Sequence, residues 1–178
     1  MTWQTEDSRV VYENPWISVR EDAVTGPGGR GIYGVVTMRH PAVFIVAVDD
    51  QERVCLVGLD RYTTGRSIEV PAGGSDGEDP LVAAQRELRE ETGLQAAQWV
   101  PLGTMNALNG VTVAPEHVFL ARDLSAADSG DARSEEGIDE VSWVPFGEVL
   151  RMIANGRITD GETVAAIAYA GIRLGRFR

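Results

Sequence analysis

The segment from Asp79 to Gly93 constrains the fold of this chain more than any other, because it carries the signals for both ends of a helix. Asp79 is a residue type that caps helix N-termini, and Pro80 suits the first helical position, where no backbone N–H is needed. Gly93 provides the stop, because glycine adopts the left-handed conformation that commonly follows a helix. The sequence therefore predicts a helix from Asp79–Pro80 to Thr92.

Runs rich in β-branched and aromatic residues lie before and after this helix and predict strands. Two more helices are predicted over residues 146–154 and 162–174, with Asp160 as a cap for the second. Strands interrupted by one helix and followed by two more imply an α+β domain layered as an α/β/α sandwich. No linker is visible, so we expect a single domain over residues 1–178. The predicted strands are residues 10–12, 16–24, 32–38, 42–48, 54–59, 99–105, 117–121 and 141–144.

Two turn segments are expected to join consecutive strands as hairpins. Residues 26–29 read Gly-Pro-Gly-Gly, a composition typical of a tight connection. Residues 49–52 separate two strongly apolar runs that can pair as an antiparallel hairpin. The last predicted helix has an apolar face that we expect to pack on the core. Its members are Val164, Ile167, Ala168 and Ile172.

The charge of the chain restricts its partners. Asp and Glu outnumber Lys and Arg by 27 to 16, which gives a formal net charge of -11. Such a chain offers no broad positive surface, so we expect no nucleic acid and no membrane as a partner. An acidic protein that handles phosphates usually recruits divalent cations, because carboxylates bind the cation and the cation binds phosphate oxygens.

The cysteine content and the first residues indicate the compartment. Cys55 is the single cysteine and lies in an apolar run, so the sequence predicts a packed thiol and excludes an intramolecular disulfide. The first residues lack the basic start and apolar stretch of a signal peptide, and no later segment has the length of a membrane-spanning helix. We therefore expect a soluble cytoplasmic protein.

Three acids share one face of the central helix. Glu87, Glu90 and Glu91 occupy positions i, i+3 and i+4, with Cβ atoms about 5 to 6 Å apart. Like charges at this spacing destabilise an isolated helix by roughly 0.2 to 0.5 kcal/mol per pair. A hard divalent cation such as Mg²⁺ or Mn²⁺ would offset the repulsion, because it takes oxygen ligands from a few carboxylates. A solvated acidic surface is the alternative.

The residues around these acids resemble a known signature. Residues 78–94 read EDPLVAAQRELREETGL and match the Nudix box at every specified position: Glu, seven residues, then Arg-Glu-apolar-x-Glu-Glu-x-Gly-apolar. In the Nudix hydrolases this box forms a loop–helix–loop unit that holds divalent metals against a substrate diphosphate. The resemblance implies a Nudix fold with a mixed central sheet, N-terminal antiparallel strands and the box at residues 72–94.

The resemblance assigns roles to the charged residues of the box. Glu87 and Glu91 correspond to the principal metal ligands, and Glu90 binds metal or positions a water. Arg86 corresponds to an arginine that pairs with a box carboxylate and fixes its geometry, which suits a planar guanidinium. Glu78 is implied to support the loop. An exposed arginine and a plain surface acid are the alternatives for these last two residues.

The chain departs from the box pattern at one position. Where the pattern has glycine six residues before Glu78, this chain has Ala72, with Gly73 and Gly74 following. The glycines still allow the backbone to approach a metal and a diphosphate closely. The loop is either one residue shorter than the pattern or has alanine at the glycine position. We expect the second, with the Ala72 carbonyl binding metal and Gly73 lying against substrate.

Segments outside the box resemble the ADP-ribose and ADP-sugar pyrophosphatase branch of the family. Residues 69–73, Glu-Val-Pro-Ala-Gly, match the lead into the box in that branch. By the same resemblance Arg61 is a candidate substrate contact, and Glu116 lies where a mobile loop carries a glutamate that activates or orients water. A merely structural Arg61 and a loop acid without a special role are the alternatives.

The N-terminal strands, within residues 1–38, are implied to form a dimerisation element. In the branch these strands pair or swap between two subunits, and aromatic residues there stack on the base. Trp16 and Tyr33 are possible equivalents, with a core or interface position as the alternative. We expect a homodimer.

These features together predict an enzyme, a Nudix hydrolase of the ADP-ribose pyrophosphatase type. Its reaction would be metal-dependent hydrolysis of the diphosphate linkage of a nucleoside diphosphate derivative, with ADP-ribose or another ADP-sugar giving AMP and a sugar phosphate. Glu116, Glu90 and Arg86 are the candidate catalytic residues. Two alternatives remain open: hydrolysis of nucleoside triphosphates or dinucleoside polyphosphates, and a Nudix-fold regulator that binds nucleotide sugars without cutting them.

Overall fold

The computed structural model describes residues 2–127 and 136–177, which form eleven strands in three sheets and three helices. None of the three described helices is long and apolar enough to span a membrane. The strands are β1 (Gln4–Glu13), β2 (Ile17–Gly26), β3 (Gly29–Met38), β4 (Ala42–Ala47), β5 (Arg53–Arg61), β6 (Gly65–Glu69), β7 (Ala72–Gly74), β8 (Leu94–Asn106), β9 (Thr112–Val113), β10 (Pro115–Ala126) and β11 (Ile138–Pro145). The helices are α1 (Pro80–Thr92), α2 (Phe146–Ala154) and α3 (Gly161–Arg173).

Helix α1 begins and ends where its sequence signals predict. The Asp79 side chain accepts a hydrogen bond from the backbone N–H of Leu81 at 2.9 Å, which satisfies one of the free donors at the helix start. Gly93 adopts a left-handed conformation with φ 70° and donates its N–H to the carbonyl of Arg89. The prediction for α1 is therefore confirmed, and α2 and α3 also agree with their predicted bounds to within about one residue.

The central sheet has the strand order β7-β4-β10-β8, with β4 parallel to β10 and the other pairs antiparallel. Side chains alternate between its two faces along each strand. On one face Val43 and Ile45 pack with Leu88 of α1. On the opposite face Val46 packs with Ile167 of α3, and α2 joins the same cluster. This layering confirms the predicted α/β/α sandwich with a mixed central sheet.

The hairpin predicted at residues 49–52 is wrong. The strands on either side of this turn, β4 and β5, share one isolated bridge, Val48–Val54. β5 lies in a separate sheet with the order β11-β5-β6, while the two edges of β4 pair with β7 and β10. Because β4 has no free edge, the two apolar runs diverge after the turn and each satisfies its backbone hydrogen bonds in a different sheet.

The buried face of α3 shares Ile167 with the predicted apolar face, while Val164 and Ala168 are partly buried. Ile172 was expected to pack on the core but is 72% exposed, so this part of the prediction is wrong. The buried positions of α3 carry mostly small residues, which allow the helix to lie close to the sheet. They are Thr163, Ala166, Ile167, Ala170 and Gly171.

The N-terminal strands form a sheet with the order β1-β2-β3-β9, in which β1 and β3 each pair antiparallel with β2, as predicted. The hairpin predicted at residues 26–29 is confirmed, because Gly26 pairs with Gly29 across a two-residue turn. β9 pairs parallel with β3 and precedes β10, so this sheet contacts the segment that leads into the central sheet. Several of its apolar side chains are exposed: Val10, Val11, Tyr12, Trp16 and Ile32.

Candidate active site

The short strand β7 and helix α1 meet through contacts between the backbone of β7 and carboxylates of α1. The N–H of Ala72 donates to Glu91 Oε2 at 2.9 Å. Gly73 lies so close to the carboxylate of Glu87 that a Cβ on this residue would overlap it. These four residues, predicted to share a site, are therefore adjacent in the structure.

Glu87 and Glu91 are buried, with 6% and 5% of their surface exposed. Burial raises the pKa of Glu91 to about 8, and the charges of Glu87 and Glu136 act in the same direction. Burial also raises the pKa of Glu87, although Arg86 opposes the shift. Two neighbouring carboxylates are thus kept out of water, an arrangement that costs free energy unless a cation neutralises them.

Arg86 connects the loop before α1 with two carboxylates of the helix. Its guanidinium donates to Glu78 at 2.9 Å, to Glu87 at 2.8 Å and to Glu90 at 3.1 Å. It also donates to the carbonyl of Gly74 at 2.8 Å. Burial alone would lower the pKa of Arg86, but these carboxylates raise it, so the side chain stays charged. One planar group therefore fixes the position of the loop relative to the helix.

The box carboxylates fit a divalent cation by charge and by donor type. In the part of the chain that the structure describes, no three His, Cys, Asp or Glu side chains converge as metal ligands do. The reason is that Glu87 and Glu90 face Arg86, while Glu91 faces the N–H of Ala72. Carboxylate oxygens are nevertheless the donors that Mg²⁺ and Mn²⁺ prefer, and either ion would offset the repulsion between the buried acids.

A cleft of about 640 Å³ lies between the β5–β6 hairpin and the start of α3, and we call it the Arg61 cleft. Arg61 donates two hydrogen bonds to Glu69, at 3.1 and 2.6 Å. This hydrogen-bonded carboxylate raises the pKa of Arg61 against the effect of burial, and the charges of Glu91 and Asp160 raise it further. Arg61 therefore lies between the box and the first turn of α3, where an anionic ligand would meet a positive charge.

Glu116 lies apart from the box. It is the second residue of β10 and is paired on both sides, so its predicted place on a mobile loop is wrong. Val118, on the same face of β10, packs with α2 and α3, whereas α1 packs on the other face. Burial raises the pKa of Glu116 to about 7, and the charges of Glu162 and Asp160 add to the shift. The structure therefore groups Glu116 with the first turn of α3.

Two acidic residues near the site, Glu162 and Glu136, are not among the site residues predicted from the sequence. Glu162 lies in the first turn of α3, next to Asp160, whose carboxylate caps the helix as predicted. Glu136 precedes β11, and its charge raises the pKa of both Glu87 and Glu91. The proximity of Glu162 to a helix cap is a signal visible in the sequence, whereas no spacing relates Glu136 to the box.

Trp16 and Tyr33, the aromatic residues considered for base stacking, have different surroundings. Tyr33 packs edge-to-face on Trp3 with ring centroids 5.5 Å apart, and both line a cavity of about 330 Å³ beside Asn109. Trp16 is 70% exposed and is not among the described residues that line that cavity. Of the two aromatic residues, Tyr33 is thus the one that lines a cavity.

Known proteins are similar to this chain over nearly its full length. Residues 38–167 match the NUDIX domain, and residues 3–36 match the nucleoside diphosphate sugar hydrolase N-terminal domain. An ADP-ribose pyrophosphatase of Mycobacterium tuberculosis is 36% identical over 173 residues, covering 96% of this chain and 81% of that protein. A CMP-5'-(N-acetyl-N-hydroxy-3-aminopropyl)phosphonate hydrolase of Streptomyces rubellomurinus is 29% identical over 175 residues, covering 97% and 84%. A solved structure described as an ADP compounds hydrolase has the same fold, with a TM-score of 0.85 over 98% of this chain and 95% of that chain at 20% identity.

The matched NUDIX domain spans well over half of the chain and contains the whole β7–α1 unit. Enzymes of this family generally need a divalent metal ion, which agrees with the donor set of the box. The buried acids Glu87 and Glu91, the hydrogen bonds from Arg86 to Glu87 and Glu90, and the domain match all lead to the same assignment. The chain belongs to the Nudix hydrolase family.

Proposed function

We propose that this hydrolase cleaves the diphosphate linkage of a nucleoside diphosphate sugar, with ADP-ribose as the best candidate substrate and AMP and ribose 5-phosphate as products. The observation that carries the proposal is that Arg61, held by two hydrogen bonds to Glu69, lines one cleft with the first turn of α3, close enough to Glu91 of the box for that charge to act on it. A diphosphate needs positive charge at its binding site. Arg61 would supply part of this charge, and metal ions bound by the box carboxylates would supply the rest. The similarity to an ADP-ribose pyrophosphatase supports the choice of ADP-ribose.

The proposal includes a Mg²⁺ or Mn²⁺ site in the box. Such an ion, when bound, would supply positive charge to the diphosphate and lower the pKa of a water molecule. Arg86 keeps the carboxylates in position, and Gly73, which has no side chain, leaves room for the Glu87 carboxylate beside the backbone of β7. The proposed ligands are Glu87, Glu90, Glu91 and the carbonyl oxygen of Ala72.

In the reaction a water oxygen attacks one phosphorus, the bond from that phosphorus to the bridging oxygen breaks, and a carboxylate takes the proton of the water. Glu116 is the residue predicted for the proton transfer, and its pKa of about 7 suits a proton acceptor near neutral pH. Glu136 is a second candidate, because its charge acts on both Glu87 and Glu91. Arg61 would bind the charge of the diphosphate throughout.

A substrate panel tests the proposal. ADP-ribose, ADP-glucose, GDP-mannose, dinucleoside polyphosphates and dNTPs are incubated with Mg²⁺ or Mn²⁺, and products are separated by anion-exchange chromatography. We expect the highest kcat/KM with ADP-ribose. Faster cleavage of triphosphates or dinucleoside polyphosphates would favour the rival hydrolase, and ADP-ribose binding without a metal-stimulated product would favour the regulator.

The variant Glu91→Gln tests the proposed ligand set, because it keeps the size of the side chain and removes its charge. We expect kcat to fall by about 10²-fold or more. Glu148→Gln is the matched control, since Glu148 lies on α2 and pairs with the neighbouring Arg151. If Glu91→Gln turns over substrate at the wild-type rate at saturating Mg²⁺, the assignment of Glu91 as a metal ligand is wrong.

We also propose that two copies of the chain associate through the N-terminal sheet. Apolar residues of this sheet, such as Val10 and Ile32, are exposed in the single chain. Exposed apolar surface of this kind often marks a protein–protein interface. A Val10→Lys, Ile32→Lys double variant should convert the dimer to a monomer in sedimentation-velocity experiments. A wild-type protein that sediments as a monomer at all concentrations would contradict this part of the proposal.

A further inference from the structure

A small cavity of about 210 Å³ lies on the opposite side of the β5–β6 hairpin from the Arg61 cleft. Ser67 and Glu69 of β6 line the Arg61 cleft, whereas Ile68 between them lines this cavity. Neighbouring residues of a strand point to opposite faces, so the two spaces share β6 as a wall. The segment after α2 closes the cavity from the other side, and we call it the Arg157 pocket after the arginine that lines it there.

The floor of the Arg157 pocket is mainly apolar. Met152 of α2 is buried, and Ile68 and Val144 are half-buried. Ser142 adds one hydroxyl group to the lining. A protein cavity of about 150 Å³ can hold one benzene molecule, so this pocket has room for a molecule of roughly six to eight heavy atoms. Its lining suits a small ligand with an apolar body.

The end of α2 fixes the backbone of Arg157 beside this floor. Gly156 adopts a left-handed conformation with φ 76°, and its N–H donates to the carbonyl of Ile153 at 3.1 Å. The N–H of Arg157 donates to the carbonyl of Met152 at 2.9 Å. In this type of helix end, the Schellman motif, the residue after the left-handed glycine often packs an apolar side chain on the last turn. This chain has an arginine at that position, so packing on the helix does not explain the side chain.

The charges around the pocket leave Arg157 without compensation. Two carboxylates also line the pocket, but each is paired with another arginine. Glu140 accepts a hydrogen bond from Arg66 at 3.0 Å, and Glu148 accepts one from Arg151 at 2.6 Å. The part of the chain that the structure describes provides no carboxylate partner for Arg157. The pocket therefore offers one unbalanced positive charge to a ligand.

A guanidinium beside an apolar floor limits the chemistry of that ligand. A carboxylate is a planar anion that a guanidinium binds through two parallel hydrogen bonds. A hydrocarbon chain attached to it would be buried against Met152 and Ile68. A phosphate would instead turn charged oxygens toward these side chains, and an ammonium group would be repelled by Arg157. A monocarboxylate of about five carbons fits both the charge and the volume.

The Arg157 pocket adjoins two walls of the Arg61 cleft. One wall is β6, which it shares with the cleft through Ile68 and Glu69. The other wall begins two residues after Arg157, where Thr159 and Asp160 line the cleft. A ligand that contacts Ile68 and Arg157 together would restrain both walls. A restrained cleft loses less conformational freedom when it binds substrate, so its affinity should rise.

We propose that the Arg157 pocket is an effector site for a small monocarboxylate, whose binding lowers KM for the substrate of the Arg61 cleft. The effect on KM rests on the proposed function, whereas the binding of the carboxylate does not. Because the two sites are coupled, substrate and effector raise the affinity of the protein for each other by the same factor.

A binding experiment with sodium pentanoate tests the ligand chemistry. Pentan-1-ol and pentylammonium chloride have the same chain without the carboxylate and serve as comparison ligands, and NMR spectra of the backbone amides follow each titration. Pentanoate should bind about tenfold more tightly than either, with shifts at residues that line the pocket. Arg157→Gln should remove this preference, and Arg173→Gln, exposed in the last turn of α3, should keep it. Equal affinity of the wild-type protein for pentanoate and pentan-1-ol, or tighter binding of inorganic phosphate, would overturn the proposal.

A second variant tests the location of the site without a change of charge. Ser142→Leu places a larger apolar side chain in the pocket and should weaken pentanoate binding about tenfold. Circular dichroism shows whether this variant and Arg157→Gln are folded, and the exposed position of Arg157 makes its variant the safer of the two. Wild-type affinity for pentanoate in Arg157→Gln would place the binding site elsewhere and overturn the proposal.

Steady-state kinetics with ADP-ribose tests the effector role. Saturating pentanoate should lower KM about fivefold in the wild-type protein and leave KM unchanged in Arg157→Gln. Pentanoate that binds in the pocket without changing KM would overturn this role while leaving diphosphate cleavage intact. If the wild-type protein does not cleave ADP-ribose, the proposed function fails. Calorimetric titration of ADP-ribose into metal-free protein, with and without pentanoate, then decides whether the two sites are coupled.

Discussion

Arg61 and Glu69 are joined by two hydrogen bonds, at 3.1 and 2.6 Å, across the β5–β6 hairpin. The Glu69 side chain is 6% exposed, whereas that of Arg61 is 46% exposed. The buried acid therefore holds the accessible guanidinium in one orientation at the edge of the Arg61 cleft. A fixed arginine loses less conformational freedom when it binds a diphosphate, so the pair should contribute to affinity.

We expect Glu69→Gln to raise KM for ADP-ribose about tenfold while changing kcat less, because Arg61 keeps its charge but loses its orienting partner. Steady-state kinetics across a range of ADP-ribose concentrations separates the two parameters. Asp139→Asn is the matched control, since it removes a carboxylate partner of Arg66 on the same hairpin at an exposed position. Equal changes in both variants would mean that the hairpin has loosened and that Arg61 has no specific role.

Gly73→Ala should lower kcat by about 10²-fold, because the new Cβ overlaps the Glu87 carboxylate and displaces it. Gly74→Ala is a close control: its Cβ would lie 3.4 Å from Asp76 Oδ1, an ordinary contact. Turnover of ADP-ribose is measured for both variants, with circular dichroism to show that each is folded. Similar activity in the two variants would contradict a close approach between Gly73 and Glu87 in the working enzyme.

Arg86→Lys should weaken Mn²⁺ binding by about 10- to 100-fold, because a point charge cannot replace the guanidinium contacts to Glu78, Glu87 and Glu90. Electron paramagnetic resonance of free Mn²⁺ measures the affinity directly. Arg89→Lys provides the comparison on the same helix, since Arg89 is half exposed and makes a single ion pair with Glu90 at 3.5 Å. If Arg86→Lys binds Mn²⁺ as tightly as the wild-type protein does, the guanidinium contacts of Arg86 are not needed for the metal site.

The metal-free protein should become less stable as the pH rises from about 4.5 to about 8. Burial raises the pKa of Glu91 from its ordinary value of 4.5 to about 8. Within that window the folded chain keeps the proton of Glu91 and the unfolded chain releases it, so each step up in pH favours unfolding. One pKa unit corresponds to about 1.4 kcal/mol, and the loss should therefore reach a few kcal/mol.

Urea denaturation in EDTA at several pH values measures this loss. Glu91→Gln has no titrating group at the position and should show a flatter pH dependence than the wild-type protein. Mg²⁺ should restore stability at pH 8, because it stabilises the ionised carboxylates of the folded state. A wild-type protein whose stability rises from pH 5 to pH 8 in EDTA would refute the prediction.

The part of the site that the sequence predicts well is the part encoded locally. Asp79 and Gly93 bound α1 through contacts that span a few residues, and the helical spacing alone brings Glu87 and Glu91 together. The burial of Cys55 in β5 likewise follows from its apolar neighbours in the sequence. Such features depend on backbone geometry that is the same in every protein.

The errors involve contacts between segments that are distant in the sequence. The turn after β4 has the composition of a hairpin, yet β4 pairs with β10, about seventy residues later, because that strand fills its free edge. The family resemblance implies a loop position for Glu116, but pairing with β4 and β8 makes it part of a strand. The proximity of Glu162 to Glu116 requires the docking of α3, which the helix pattern does not specify.

The parallel pairing of β3 with β9 ties the N-terminal sheet to the segment before β10, which lies between β4 and β8 in the central sheet. The N–H of Val36 also donates to the carbonyl of Val111. Only Ala114 separates β9 from β10. A displacement of β3 on association of two chains would therefore reach the central sheet through a very short stretch of backbone.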